Sequence, residues 1–416
     1  MPRFIQVHFL TSYPSSLLNR DDVGFAKRMP FGGTIRTRVS SQCQKRHWRM
    51  HQGAHNLGEL GPGSVRSRIS FERFVVQPLV KDGASPELAR AAASALLAVV
   101  LGKKEEPETD KKTKPKKSKD VAEQPALPAV GAPEPKAAET KAVQTEQVTV
   151  FGRPELDFLR GLAATICERA KEPGKVAAVA KDVFDSDQKK NLAALRRGAG
   201  LDAALFGRMV TSDMLARCDA AVHVAHALTV HKELAEADYF SAVDDLLQAD
   251  GDLGSGHIGT AELTSGLFYG YVAVDVPLLV SNLEGCNRQD WQTADRTLAG
   301  DVLKALVHLV ATVSPGAKLG STAPHAYASL VLVEAGDAQP RTLANAFLRA
   351  VSDRDDLLGN AYQALGEHVR DLDQGYGASW QRAFMALGPK GRLGADFEAT
   401  TSLEKVALWV SDRVRS

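Results

Sequence analysis

The chain has 416 residues, 44% of them hydrophobic and 24% charged, with a formal net charge of +1. That is enough to bury a core in two or three structural units, and it excludes a uniformly charged coat: any basic surface has to be assembled by local clustering. The four cysteines, Cys43, Cys167, Cys218 and Cys286, stand far apart with no C-x-x-C pair, which speaks against a zinc knuckle and a disulfide framework and fits a reducing cytoplasm.

The opening MPRFIQVHFL is too short and too polar for a signal peptide or membrane anchor, with Gln6 and His8 inside it. The later apolar runs, Ala91–Leu101 and Val302–Val313, are interrupted or stop short of a spanning helix, so a cytoplasmic protein with no membrane partner is expected. Phe4–Leu10 alternates as a strand, and Thr34–Val39 (TIRTRV) reads as a second, β-branched one. Ser40 and Ser41 then supply N-cap chemistry ahead of QCQKRHWRMH, so the segment reads as strand, cap, helix.

From Lys103 to Thr140 the composition shifts to Lys, Glu, Pro and Ala with almost no large apolar residue, which predicts a solvated, disordered linker at about 103–145. Beyond it, Pro154–Lys171 and Ser186–Arg197 carry apolar residues at helical spacing. The stretch from Gly207 to about Gly259 mixes short β-like runs, the aromatic pair Tyr239–Phe240 and the glycine-rich GDLGSGHIG, which suits a hairpin-like projection. SGLFYGYVAVDVPLL then reads as a core strand, Gln289–Val313 as an amphipathic helix, and ASLVLVEA as another buried strand. The expected fold is α+β: a sheet domain, discontinuous in sequence, with a helical insertion and an extended projection.

Between Asn19 and Arg49 eight basic residues concentrate: Arg20, Lys27, Arg28, Arg36, Arg38, Lys45, Arg46 and Arg49. In the strand, Arg36, Arg38 and Ser40 share a face. In the helix, Gln42, Lys45, Arg46 and Arg49 fall on one polar, cationic stripe. A helix start with two serines offers backbone N–H groups and a positive dipole end to a phosphate, and the cations further along would meet successive phosphates. The Gly32–Gly33 pair would let the backbone approach closely. Together these read as a groove for a sugar-phosphate chain; the alternative is an ordinary solvated helix face.

The run Asn19-Arg20-Asp21-Asp22, Phe31-Gly32-Gly33, Arg36, Arg38, Val39-Ser40-Ser41-Gln42 and Lys45-Arg46 resembles the N-terminal signature of CasC, the Cas-seven backbone protein of the type I-E CRISPR Cascade complex. Further matches are Gly207-Arg208-Met209 with Thr211-Ser212, Ala225-His226-Ala227, Phe240 with Ala242-Val243-Asp244-Asp245, Ser265-Gly266 and Pro315-Gly316-Ala317-Lys318. The resemblance implies an RRM-like palm (residues 1–75 and 261–416), a helical fingers insertion (76–205) and a β-hairpin thumb (206–260). It implies a non-catalytic subunit, without cofactor, that stacks in copies along crRNA beside other Cascade subunits and presents the guide to target DNA. Asn19 and Arg20 join the RNA-binding set through the signature. Met209 falls at the family's nucleotide wedge, and Tyr239 and Phe240 fall where it presents aromatics. Tyr239 stands where a related sequence has tryptophan, an exchange that stacking survives. Lys318 alone carries over from its loop, because LGSTAPHAY follows it where the family often has a further basic residue.

Other chemistry is weaker in the residues. His223 and His226 have opposite parity in a strand, and with His231 they complete no zinc-like ligand set. Asp21–Asp22 and Asp244–Asp245 are adjacent pairs that point apart, whereas two-metal cleavage needs carboxylates converging on one point. The alternative function is a metal-dependent ribonuclease cutting with a thumb aspartate, Asp213 or Asp219, as related backbone subunits of another CRISPR class do.

Overall fold

The computed structural model describes residues 1–101, 142–194, 199–208, 218–243, 255–377, 380–394, 397 and 401–416. The charged segment Lys103–Thr140 lies outside them. They form two compact units: Met1–Ser64, Ala199–Arg208 and Cys218–Ser416 in one, and the described residues from Val65 to Ala194 in the other.

The first unit is built on a nine-stranded antiparallel sheet. In chain order its strands are β1 (Phe4–Ser16), β2 (Arg28–Phe31) and β3 (Thr34–Val39), then, after the short β4 (Val65–Ser67) and β5 (Thr149–Phe151) of the other unit, β6 (Val222–Val224), β7 (Ala227–Thr229), β8 (Leu234–Val243), β9 (Ser255–Asp275), β10 (Leu330–Gly336) and β11 (Gln381–Ala386). The spatial order is β11-β10-β1-β9-β7-β3-β2, with β6 and β8 also pairing β9. β9 is long enough to lie beside β1 over Gly266–Asp275 and to run on beside β8 as a two-stranded ribbon.

Burial on both faces explains the near-continuous apolar text of the central strands. Ile5, Val7 and Phe9 of β1, Val272 and Val274 of β9, and Val331 and Val333 of β10 point to one side, where the helices Val276–Glu284, Thr297–Thr312 and Leu403–Arg415 cover them. Leu10, Leu267, Tyr269, Leu330 and Leu332 point to the other, under the helix Leu357–Tyr376. That second face also buries an ionic cluster. Glu334 accepts from Arg341 at 2.7 Å and Arg382 at 2.8 Å, with His8 Nε2 at 3.3 Å from its carboxylate. Burial works against the Glu334 charge, but the His8 contact and the two guanidiniums reverse this and bring its pKa down to about 2.

The second unit is mainly helical. Pro86–Val100, started by a Ser85 cap and Pro86, packs with Arg153–Ala170 and Val176–Val183 around Phe71, Leu96, Phe151, Leu159 and Ile166. Among the described residues no helix is long and apolar enough to cross a membrane.

Candidate nucleic-acid interface

β3 runs into the helix α1 (Ser41–Met50) through Ser40, whose backbone is extended and whose hydroxyl accepts the Cys43 N–H at 3.2 Å. This is the cap read from the sequence, worth about 1 kcal/mol. The open phosphate cradle expected at the two serines is not formed. Ser41 N–H donates to His226 Nδ1 at 3.3 Å, Ser40 N–H donates to Asn19 Oδ1 at 2.9 Å, and both serines are buried. Asn19 also accepts the Lys27 N–H on its carbonyl at 2.9 Å, so it braces the strand–helix corner from behind.

Two of the expected phosphate contacts are engaged internally. Arg36 is fully buried; it donates to the carbonyls of Thr229 at 3.0 Å, Phe347 at 2.8 Å and Phe31 at 3.4 Å, and burial lowers its pKa. Three backbone acceptors from three segments claim it, which removes it from the groove. Arg49 lies 3.5 Å from the carboxylate of buried Asp202, which also accepts Ser64 N–H and Oγ–H at 2.6 and 2.8 Å. Arg28, another of the eight, bridges Glu233 and Glu262. Gly32 was expected to admit nucleic acid; it sits at φ +60, and a Cβ there would stand 1.5 Å from the Leu348 carbonyl oxygen. Its freedom serves a tight Gly-Gly turn pressed against the chain itself.

What stays on the surface is a smaller cluster. Arg20, Gln42 and Arg46 are exposed, and Lys27, Arg38 and Lys45 are half-buried. Lys45 Nζ sits 6.0 Å from the Phe206 ring centroid. Arg38 donates toward His226 Nδ1 at 3.3 Å, so two N–H groups converge on that nitrogen and fix it as an acceptor. Partial desolvation lowers the His226 pKa, and Arg38, Lys27 and Lys45 lower it further. Burial raises the Cys43 thiol, with Lys27 and Arg46 pulling the other way. Lys27, Arg38, Lys45 and Arg46 therefore act on one patch around the start of α1. Beside it lies an open groove of about 500 Å³ lined by Asp21, Asp22, Ala26, Lys27, Arg28 and Arg38. Asp21 does not face it as a free carboxylate: Oδ1 accepts the N–H groups of Val23, Gly24 and Phe25 at 2.8–3.0 Å.

The β8–β9 ribbon carries the aromatics on opposite faces, as a period of two requires. Tyr239 is 65% exposed. Phe240 lies over Gly259, where a Cβ would meet its ring at 2.4 Å, and Lys318 Nζ sits 4.9 Å from its centroid. Lys318 thus joins Phe240, while Tyr239 points elsewhere. Met209 and Asp213 lie outside the described residues, as do Asp244 and Asp245. Asp219 is exposed, and its carbonyl accepts from Asn282 at 3.0 Å. The three histidines go to separate partners: His223 to the Ala220 carbonyl at 3.0 Å, His226 to Ser41, and His231 to Leu267 N–H at 3.1 Å.

Sequence reading missed His226 as the hub of the cationic patch, although Ala225-His226-Ala227 stood among the matched residues. It also missed the acids that neutralise Arg28 and Arg49, which come from 205, 234 and 153 residues away and leave no local signal.

Fold and site define a mixed α/β protein with a large antiparallel sheet and a cationic patch at the edge strands. The chain belongs to the CT1975-like protein family, which it matches over residues 5–409. It is similar to a chain of a CRISPR RNA-guided surveillance complex, pre-nicking, at 27% identity and a TM-score of 0.74, over 98% of this chain and 99% of that one. A chain of another CRISPR RNA-guided surveillance complex, 24% identical over 99% of both chains with a TM-score of 0.64, shares the fold. No protein of curated function matches the sequence.

Proposed function

We propose that this chain is a crRNA-binding backbone subunit of a type I-E Cascade complex, of the CasC type, with an RRM-like palm, helical fingers and a hairpin thumb. It holds the guide by its sugar-phosphate chain, without catalysis, and leaves bases free to pair with target DNA. Copies assemble head to tail along the RNA, a non-closing contact whose length the template sets, beside other Cascade subunits.

The observation that carries this reading is the convergence of Lys27, Arg38 and Lys45 on His226, with Lys27 and Arg46 acting on Cys43 beside it, at the strand–helix corner. Lysine and arginine contacts to phosphates fix the position of a nucleic acid without carrying sequence information, which suits a subunit that must accept any guide. The similarity to surveillance-complex chains supports the choice of guide RNA.

The test is to purify the tagged protein from its native host at moderate salt, extract bound nucleic acid and sequence it. Short RNAs of uniform length matching CRISPR spacers support the proposal. Heterogeneous RNA or none overturns it, and RNA cleavage with added Mg²⁺ that is lost in Asp219→Ala would replace it with the ribonuclease.

A further inference from the structure

Away from the cationic patch, three side chains from three segments of the first unit meet: His55 in the loop after α1, His308 in the helix Thr297–Thr312, and Glu404 in the first turn of the helix Leu403–Arg415. Among the described residues this is the group of His, Cys, Asp and Glu side chains whose ligand atoms come within 4.8 Å of one another. The His55 and His308 rings stack at 3.8 Å between centroids with planes 4° apart, and His308 Nε2 is 2.9 Å from Glu404 Oε2. His308 is buried at 7% exposure. His55 holds φ +64, a left-handed conformation that a histidine adopts only against steric resistance, so the loop is strained to put its imidazole there.

We propose that His55, His308 and Glu404 bind one divalent transition-metal ion. Two imidazoles and one carboxylate are a donor set for Zn²⁺, Co²⁺ or Ni²⁺ and not for Mg²⁺ or Ca²⁺, which take oxygen ligands. Three protein ligands leave a coordination position for water. Little has to move. Tetrahedral zinc sets its nitrogen and oxygen ligands about 3.3 Å apart, a few tenths beyond the His308–Glu404 contact. A metal lies near the plane of each imidazole it binds, so the exposed His55 ring turns out of its parallel stack about the Cβ–Cγ bond. Lys304 Nζ, 2.7 Å from Glu404 Oε1, is the ion's competitor for the carboxylate. The bound ion would pin the loop after α1 to two helices that cover the sheet, a structural role.

The experiment uses full-length protein dialysed against chelator, titrated calorimetrically with Zn²⁺ and, separately, with Co²⁺ followed by its visible d–d absorption. One equivalent should bind with a tetrahedral-type Co²⁺ spectrum. His55→Ala and Glu404→Gln should each weaken binding about tenfold or more, and Lys304→Gln should tighten it. His55 and Glu404 are exposed, so both variants should fold; His223→Ala, away from the cluster, should bind as the parent does. No stoichiometric uptake, or equal uptake by His55→Ala and the parent, overturns the site and leaves a stack that only tethers the loop. RNA binding by the same preparations is scored separately, so failure here does not touch the guide-RNA reading.

Discussion

Lys318 Nζ stands 4.9 Å from the centre of the Phe240 ring and 3.9 Å from the carboxylate of Asp238, two residues earlier on the same face of β8. One face of the β8–β9 ribbon is thereby engaged with the loop after Val313, and it carries Glu236 and Asp238, which repel phosphate. The other face presents Tyr239 between Ala237 and Ser241, and its acid from the facing strand, Glu262 opposite Ala237, is paired with Arg28. Tyr239→Ala should therefore weaken single-stranded RNA binding by about 1–3 kcal/mol through lost stacking. Phe240→Ala should chiefly loosen the ribbon, read as faster amide exchange over β8. Equal losses of RNA affinity in the two variants would show that both faces meet the nucleic acid.

A second prediction separates cations that bind from cations that fold. Lys45→Gln and Arg46→Gln should each lower the slope of log affinity against log salt by about 0.7, the value for one phosphate contact on a single strand, alike for every RNA sequence. Arg36→Met should leave that slope alone in the folded protein and destabilise it by about 2–3 kcal/mol, since the buried contacts to the Thr229 and Phe347 carbonyls and the part-buried one to Phe31 lose their donor. Urea midpoints and fluorescence titrations at several salt concentrations give both quantities. A reduced salt slope for Arg36→Met, with stability intact, would restore it to the groove.

That division of labour marks where the sequence stops being legible. Strand, cap and helix over Thr34–Met50 could be read because alternation, an N-cap serine and a 3.6-residue stripe are local. The fold class followed from core strands whose apolar runs are buried on both faces. The fate of each arginine is not local: Arg36 finds acceptors 193 and 311 residues away, and only the folded sheet brings Thr229 and Phe347 to it. Periodicity put Arg36 and Arg38 on one face without telling that Phe347 would cover only the first. The resemblance placed Phe240 and Lys318 in one set, yet their mutual contact belongs to the tertiary structure.

The buried cluster around Glu334 should set the acid limit of the fold. Its carboxyl is held at about 2 against an ordinary 4.5, so the stability it confers is full above the ordinary value and is lost as pH falls from about 4.5 toward 2. His8, pushed below 6.5 by burial, works in the same direction from a higher pH, because the unfolded chain takes up that proton first. Glu334→Gln removes one of the two carboxylates that Arg341 and Arg382 share, while Asp373 still pairs with both guanidiniums, so it should cost about 1–3 kcal/mol near neutrality, with a flatter acid limb. Urea unfolding from pH 3 to 8 measures both, and a parallel pair of curves for parent and variant would refute the assignment.

His226 offers a direct reading of the proposed interface. Desolvation and the positive charges of Arg38, Lys27 and Lys45 hold its pKa below the usual histidine value. Phosphates bound at those cations cancel the repulsion, so RNA should raise the His226 pKa. Linkage then requires that binding take up a proton in the interval between the free and bound values, and affinity should rise as pH falls through that interval. Nδ1 now accepts from Ser41 and Arg38, and protonation there would break both contacts, so the added proton has to bring a phosphate close enough to replace them. Histidine NMR titrations with and without RNA give the shift, and the pH dependence of affinity in His226→Ala, which should be flat, checks its origin. A His226 titration curve that RNA leaves in place would mean that the cations around it are not where the phosphates bind.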